Sequence, residues 1–300
     1  MKRRDFLTTL AAGTAALTSL TKAHAQNAAP AAGADPVWVP LTKDVKTTRV
    51  GFGTGMRGWQ RRSDIIRMGY PKAIELLRFA YDSGIRLFDS ADLYGTHDVV
   101  AEALKDKPRD SYVIVSKMWL LPNGLPEQER LDPQVTIKRF LQETRSKYID
   151  VVQIHCMSSG KWADEFAGAM ESLAKLKQEG VIRAHGVSTH SNAAVELATK
   201  TAWCDVIHVR MNSEGMSMDG PQDNAAKRVE DAVASAKKAH DAGKGIICMK
   251  VLGEGRMADN PAMRQKSTRF ITKLDSVNAM IVGFSEKEHI TEFLANVASA

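Results

Sequence analysis

Gly84-Ile85-Arg86-Leu87-Phe88-Asp89-Ser90-Ala91-Asp92-Leu93-Tyr94-Gly95 sets one short strand between two kinds of punctuation. Gly84 stands where a preceding helix should stop, because glycine enters the left-handed conformation that ends helices. Positions 86–89 form a short, largely apolar run that reads as a buried strand. Asp89 closes that run and Tyr94 follows in the next loop. A strand that delivers polar side chains at its carboxyl end is the usual arrangement of a parallel sheet with helical crossovers, whose sites gather at that end.

The same unit recurs along the chain. Runs at 48–52, 86–89, 112–116, 150–155, 182–187, 205–209, 245–249 and 278–282 read as strands, and helical periodicity fills the gaps. Ile137, Phe140, Leu141 and Tyr148 fall on one helical face, as do Phe166, Met170 and Leu173. Pro71 suits a helix start, and Gly180 and Gly243, like Gly84, suit helix ends. Eight strand–helix units without a linker-like break predict one closed (β/α)8 TIM barrel over residues 47–300. An open doubly wound sheet is the alternative. Gly53, Gly55 and Gly58 satisfy the bare G-x-G-x-x-G spacing it needs, but Trp59-Gln60-Arg61-Arg62-Ser63 follows in place of an apolar helix. These glycines read as a first strand-to-helix loop that lets backbone approach a ligand.

Composition sets the remaining bounds. Of 300 residues, 44% are hydrophobic and 25% charged, which excludes disordered, collagenous and disulfide-scaffold classes. Cys156, Cys204 and Cys248 are too few and too scattered for a four-thiolate metal site. Half of the net charge of +6 comes from Lys2, Arg3, Arg4 and Lys22 against Asp5, so the rest of the chain has no nucleic-acid footprint. Residues 1–25 pair that basic start with an uncharged run from Thr8 to Leu20 and the small-residue pattern Ala23-His24-Ala25. They read as a secretory signal peptide, and Arg3-Arg4-Asp5-Phe6-Leu7 resembles the twin-arginine signal. The run falls short of the roughly 20 residues of a spanning helix, so no stable membrane anchor is expected. The twin-arginine export machinery is the expected partner and a periplasmic or otherwise exported location the expected destination. Residues 26–46, rich in Ala, Pro and Asn at their start, read as a flexible leader.

In such a barrel Asp89 and Tyr94 follow the second strand, Lys117 the third, and His155 ends the fourth. The set suits proton transfer. An unperturbed phenol, with a pKa of about 10, is a poor acid or base at neutrality, but a neighbouring ammonium favours its phenolate. A carboxylate beside that lysine keeps it charged and oriented.

The chain resembles the aldo-keto reductase family through Gly51-Phe52-Gly53-Thr54-Gly55, Phe88-Asp89-Ser90-Ala91-Asp92-Leu93-Tyr94-Gly95, Val115-Ser116-Lys117, Gln153-Ile154-His155 and Gly186-Val187-Ser188. The resemblance implies a nicotinamide cofactor, NADP or NAD, and a small carbonyl or alcohol substrate. It assigns the catalytic roles to Asp89, Tyr94, Lys117 and His155. Tyr94 would act as general acid, Lys117 and Asp89 would tune it, and His155 would orient the carbonyl.

The same resemblance implies the cofactor contacts. Gly53 and Thr54 come from the first loop. Ser188 and Thr189 follow the fifth strand and His208 lies on the sixth, at the positions that hold the nicotinamide amide, with Met211 at the stacking position. Relatives have asparagine where Thr189 stands, glutamine where His208 stands and an aromatic ring where Met211 stands. Lys250, Leu252, Gly253 and Gly255 match the phosphate-side loop, while Ser285, His289 and Glu292 fall at the adenine end. Gly283 and Phe284 replace residues that meet a 2′-phosphate, which argues against a strong preference for NADPH. The altered contacts and the export signal also motivate an alternative, a non-turnover nucleotide-binding barrel acting as a sensor or as a subunit of an exported assembly. A sugar hydrolase using Asp89 and Asp92 leaves Lys117 and Tyr94 without a role.

Overall fold

The computed structural model describes residues 36–300. The proposed signal peptide therefore lies outside the described residues, as do residues 26–35 of the expected leader. Ten strands are described: β1 Trp38–Pro40, β2 Lys46–Thr48, β3 Val50–Gly53, β4 Leu87–Asp89, β5 Val113–Met118, β6 Ile149–Met157, β7 Ile182–Thr189, β8 Val206–Arg210, β9 Gly245–Met249 and β10 Ala279–Val282. Strands β3 to β10 close into a parallel barrel in chain order, with β10 pairing β3. Each barrel strand is followed by a helix, from Tyr70–Asp82 after β3 to Lys287–Ala298 after β10. This is the expected (β/α)8 architecture, and each expected strand overlaps one barrel strand.

Local chemistry explains the helix boundaries. Pro71 lies in the first turn of Tyr70–Asp82, and Gly84 follows that helix at φ +95°. Asp132, Asn224 and Asn260 each accept a backbone N–H with the side chain to start the helices after β5, β8 and β9. The main apolar core lies between barrel and helices, with Phe52, Phe88, Phe140 and Trp162 almost wholly buried.

Inside the barrel, Leu87, Val113, Val115, Val151, Ala184, Val206, Ile247 and Ala279 form a second apolar cluster. Leu41 and Val45 join it from the turn of an antiparallel hairpin made by β1 and β2. This corrects the leader expectation, because residues 38–46 are a plug on the amino-terminal mouth of the barrel. With apolar side chains filling one end, the polar inward positions stack at the other. Asp89 pairs in register with Gly53 and Val115, Lys117 with Gln153, and Ser188 with His208. Period-two alternation then aims Asp89, Lys117, His155 and His208 into the carboxyl-terminal mouth.

Candidate active site

Tyr94 ends a one-turn 3-10 helix, Asp92–Tyr94, that caps β4. Gly95 leaves this turn at φ +71°, where a Cβ would collide with the Arg61 carbonyl, so the reversal requires glycine. The buried Asp92 carboxylate anchors the turn, receiving Arg61 at 3.0 Å and Arg139 at 2.7 Å. Backbone N–H groups of Arg61 and Ser63 donate to the carbonyls of Leu93 and Tyr94, tying the first loop across the turn. Gly55 and Gly58 face the Tyr94 ring, and a Cβ on either would overlap it. The glycines expected to admit a ligand therefore also admit the tyrosine.

The four expected catalytic residues come together. The Tyr94 hydroxyl lies 3.2 Å from His155 Nε2, and the two rings meet edge to face at 5.3 Å. Lys117 Nζ lies 5.1 Å from the Tyr94 ring centroid and donates to Asp89 Oδ1 at 2.5 Å and to the Ser90 carbonyl at 2.9 Å. Trp119 packs edge-on against His155 at 5.3 Å, and the exposed Trp59 packs against Trp119. Cys156 joins this wall, contrary to strict strand alternation, because β6 bulges there and Cys156 takes φ +66°.

The electrostatics differ from the expectation in one respect. Burial pushes the Tyr94 phenol well above its ordinary value, and Asp89 and Cys156 push the same way. The ammonium of Lys117 does not bring it down, since Asp89 already spends that charge. Burial alone would raise Asp89, but Lys117 and His208 more than offset it and hold the carboxylate below its usual range. Burial, reinforced by Lys117, keeps His155 neutral, well below the usual imidazole value. The site at neutral pH therefore holds a protonated phenol beside a neutral imidazole and an ion pair. Asp89 is committed to Lys117 and Asp92 to two arginines, so neither carboxylate is free for glycoside chemistry.

A groove with a cavity of about 320 Å³ runs from Asp89 and Tyr94 to Asn296. Gly53, Lys250, Leu252 and Gly255 also line it. Ser285, His289 and Glu292 line it as well, and Ser285 Oγ lies 3.2 Å from His289 Nδ1. Lys250 pairs with Glu254 across the loop. Arg264 holds Glu292 through two contacts of 2.8 and 2.9 Å. Arg264 was not foreseen, because its partner lies on another helix with no local sequence signal.

Six other residues expected at the cofactor do not line this groove. Thr54 is fully buried and donates to the Asp89 carbonyl at 2.8 Å, with Thr96 2.7 Å away. Ser188 Oγ accepts the Cys156 N–H at 2.8 Å, and Thr189 donates to the His208 carbonyl at 2.7 Å. The Met211 side chain is wholly buried in the core, and Gly253 is buried within the turn Gly253–Gly255. His208 faces Asp89 across the barrel, with Nε2 3.2 Å from Oδ1. All six side chains or backbones serve the frame of the site in this arrangement.

The model of the Aldo/keto reductase family matches residues 49–267. The chain is 23% identical over 285 residues to the uncharacterized oxidoreductase YqkF of Bacillus subtilis, covering 84% of this chain and 87% of that one. It is 27% identical to methylglyoxal reductase DkgB of Salmonella typhi over 55% of this chain and 57% of the relative. A crystal structure of an aldo-keto reductase from Klebsiella pneumoniae in complex with NADPH superposes with a TM-score of 0.62 at 20% identity, covering 88% and 90% of the two chains.

Proposed function

As a member of the aldo/keto reductase family the chain is an NAD(P)-dependent oxidoreductase, and we propose that Tyr94 is the acid–base group that exchanges a proton with a small carbonyl or alcohol substrate. The observation that carries this reading is the Tyr94 hydroxyl 3.2 Å from His155 Nε2, at the end of the groove and beside the Lys117–Asp89 pair. When bound, the nicotinamide supplies a hydride to a carbonyl carbon or takes one from an alcohol. The groove fits such a group: it is lined by Tyr94 and by Gly53 and Gly255, where backbone is bare.

The chain's own residues do the rest. Tyr94 and the neutral His155 offer two hydrogen-bonding groups to one substrate oxygen. A protonated phenol gives up its proton as negative charge develops on that oxygen, and takes it back from an alcohol in the reverse direction. Lys117, held by Asp89, keeps its ammonium 5.1 Å from the ring on which the tyrosinate forms. Trp59 and Trp119 supply an apolar wall that keeps water from the reacting carbon. The names of the Salmonella relative and of the Klebsiella complex agree with carbonyl reduction and a nicotinamide cofactor.

The test is reduction of a panel of aldehydes and ketones with NADPH and NADH. Turnover should fall by about 10²- to 10⁴-fold in Tyr94→Phe, the usual contribution of a positioned acid. A variant as active as the parent would remove the assigned role.

Residues 1–25 support a second element of the proposal, export by the twin-arginine route. Arg3→Lys together with Arg4→Lys should then retain the protein in the cytoplasm, read by cell fractionation. Unchanged distribution would refute that route.

A further inference from the structure

We propose that His208 is a positioning residue, holding the Asp89 carboxylate against Lys117 from the far wall of the barrel. The proposal rests on the acid–base reading of Tyr94 given above. Strands β4 and β8 lie opposite each other in the closed barrel, so Asp89 and His208 meet across its interior. His208 Nε2 lies 3.2 Å from Asp89 Oδ1, the same oxygen that Lys117 Nζ reaches at 2.5 Å. One carboxylate oxygen has two acceptor sites, enough for both donors. The His208 contact is the longer of the two, and its alignment falls short of a hydrogen bond.

The ring's surroundings select its protonation state. His208 is wholly buried and neither ring nitrogen makes a hydrogen bond of normal geometry, but Nε2 has the Asp89 carboxylate 3.2 Å away while Nδ1 has no such neighbour. A proton on Nδ1 would bury an unpaired donor and turn the Nε2 lone pair toward a carboxylate. A proton on Nε2 gives Asp89 a donor and leaves only an unpaired acceptor. A doubly protonated ring would place a second cation beside Lys117, and burial opposes it as well. The titratable groups that act on the pair include Lys117 from β5, and His208 in turn acts on His155 from β6.

The backbone is fixed for this task. The Thr189 hydroxyl donates to the His208 carbonyl at 2.7 Å, locking the residue against β7. Without the imidazole, Asp89 Oδ1 loses its neighbour on that wall of the barrel. The carboxylate can then rotate, and the ammonium it holds moves relative to the Tyr94 ring. The expectation from sequence, that His208 holds the nicotinamide amide, makes a different claim, since it would act on cofactor affinity.

The experiment compares His208→Leu and His208→Gln in the mature protein, the second retaining an N–H donor. Measured are kcat and its pH profile, KM for a carbonyl, and the Kd of NADPH and NADH by tryptophan fluorescence. His208→Leu should lower kcat at least about 10-fold and shift the pH profile, with KM and nucleotide Kd within about threefold, while His208→Gln recovers most of kcat. A loss confined to nucleotide Kd, a leucine variant with parental kcat and pH profile, or a glutamine variant no better than leucine would overturn the assignment. Nitrogen-15 NMR of the parent's His208 ring decides the contact without turnover. A neutral Nε2–H tautomer between about pH 6 and 9 is expected, and an Nδ1–H tautomer or an imidazolium there overturns it. Failure of the parent to reduce any carbonyl would instead strike at the hydride-transfer reading, and the NMR result would still judge His208.

Discussion

Lys117 Nζ lies 2.5 Å from Asp89 Oδ1 with both side chains almost wholly withdrawn from solvent. An isolated charge at either position would be costly, whereas the pair supports itself. Lys117→Met should therefore destabilise the protein by about 3–5 kcal/mol, the range for breaking a buried pair from one side. The double variant Lys117→Met, Asp89→Leu should regain most of that stability in urea melts while turnover stays lost. A double variant no more stable than the single one would show that the pair's worth is not electrostatic compensation.

Gly55 lies under the Tyr94 ring, with no room for a Cβ. Gly55→Ala should leave the melting temperature within a few degrees, as expected for a loop change that costs about 1 kcal/mol or less. It should lower kcat by about 10- to 100-fold, because a displaced phenol loses its alignment with the substrate oxygen. Parental kcat in this variant would mean that the loop, and not the tyrosine, yields.

Burial and Asp89 push the Tyr94 phenol well above its ordinary value, and His155 stays neutral. In the reductive direction neither group should titrate across neutrality. The kcat of carbonyl reduction at saturating cofactor should therefore vary less than about threefold between pH 6 and 9. A reductive limb that falls with an apparent pKa near 7 would assign the proton to another group.

His185 stacks on Trp203 at 4.2 Å and lies 3.3 Å from Asp205. Burial pulls its imidazole down to about 4, although Asp205 opposes the shift. The unfolded chain binds this proton near pH 6.5 and the folded chain near pH 4, so the folded state is favoured above that interval. Stability contributed by His185 should be lost as pH falls between the two values, at about 1.4 kcal/mol per pH unit. The slope of unfolding free energy against pH should decrease in His185→Gln over this window. An unchanged slope would show that the ring is not neutral in the fold.

The barrel was legible because each strand–helix unit carries its own hydrophobic period and its own stop signals. Asp89, Tyr94, Lys117 and His155 were legible for a related reason: strand ends name the mouth, and the residue types name the chemistry. The β1–β2 hairpin was not, since three-residue strands carry too little alternation to separate them from a leader. Tyr148 extended a helical period on paper, but the helix stops at Glu143. Its ring instead stacks under Arg109 and Arg183.

Cofactor contacts were the least legible part. Thr54, Ser188 and Thr189 sit at the expected strand ends, but their hydroxyls are engaged by Asp89, Cys156 and His208. Such contacts depend on the barrel closing and on the bulge at Cys156. His208 shows the same limit, since its nearest charged partner is four strands away in the barrel.

Hydride transfer between the nicotinamide and a carbonyl carbon at Tyr94 leaves an isotopic trace. The most direct measurement uses cofactor deuterated at C4 in the transferable position, with mass spectrometry of the alcohol formed by parent and Tyr94→Phe. One deuterium on the former carbonyl carbon with the parent, and almost none with the variant in the same time, is the expected result. Alcohol without the label, or equal labelling by both proteins, would contradict the account.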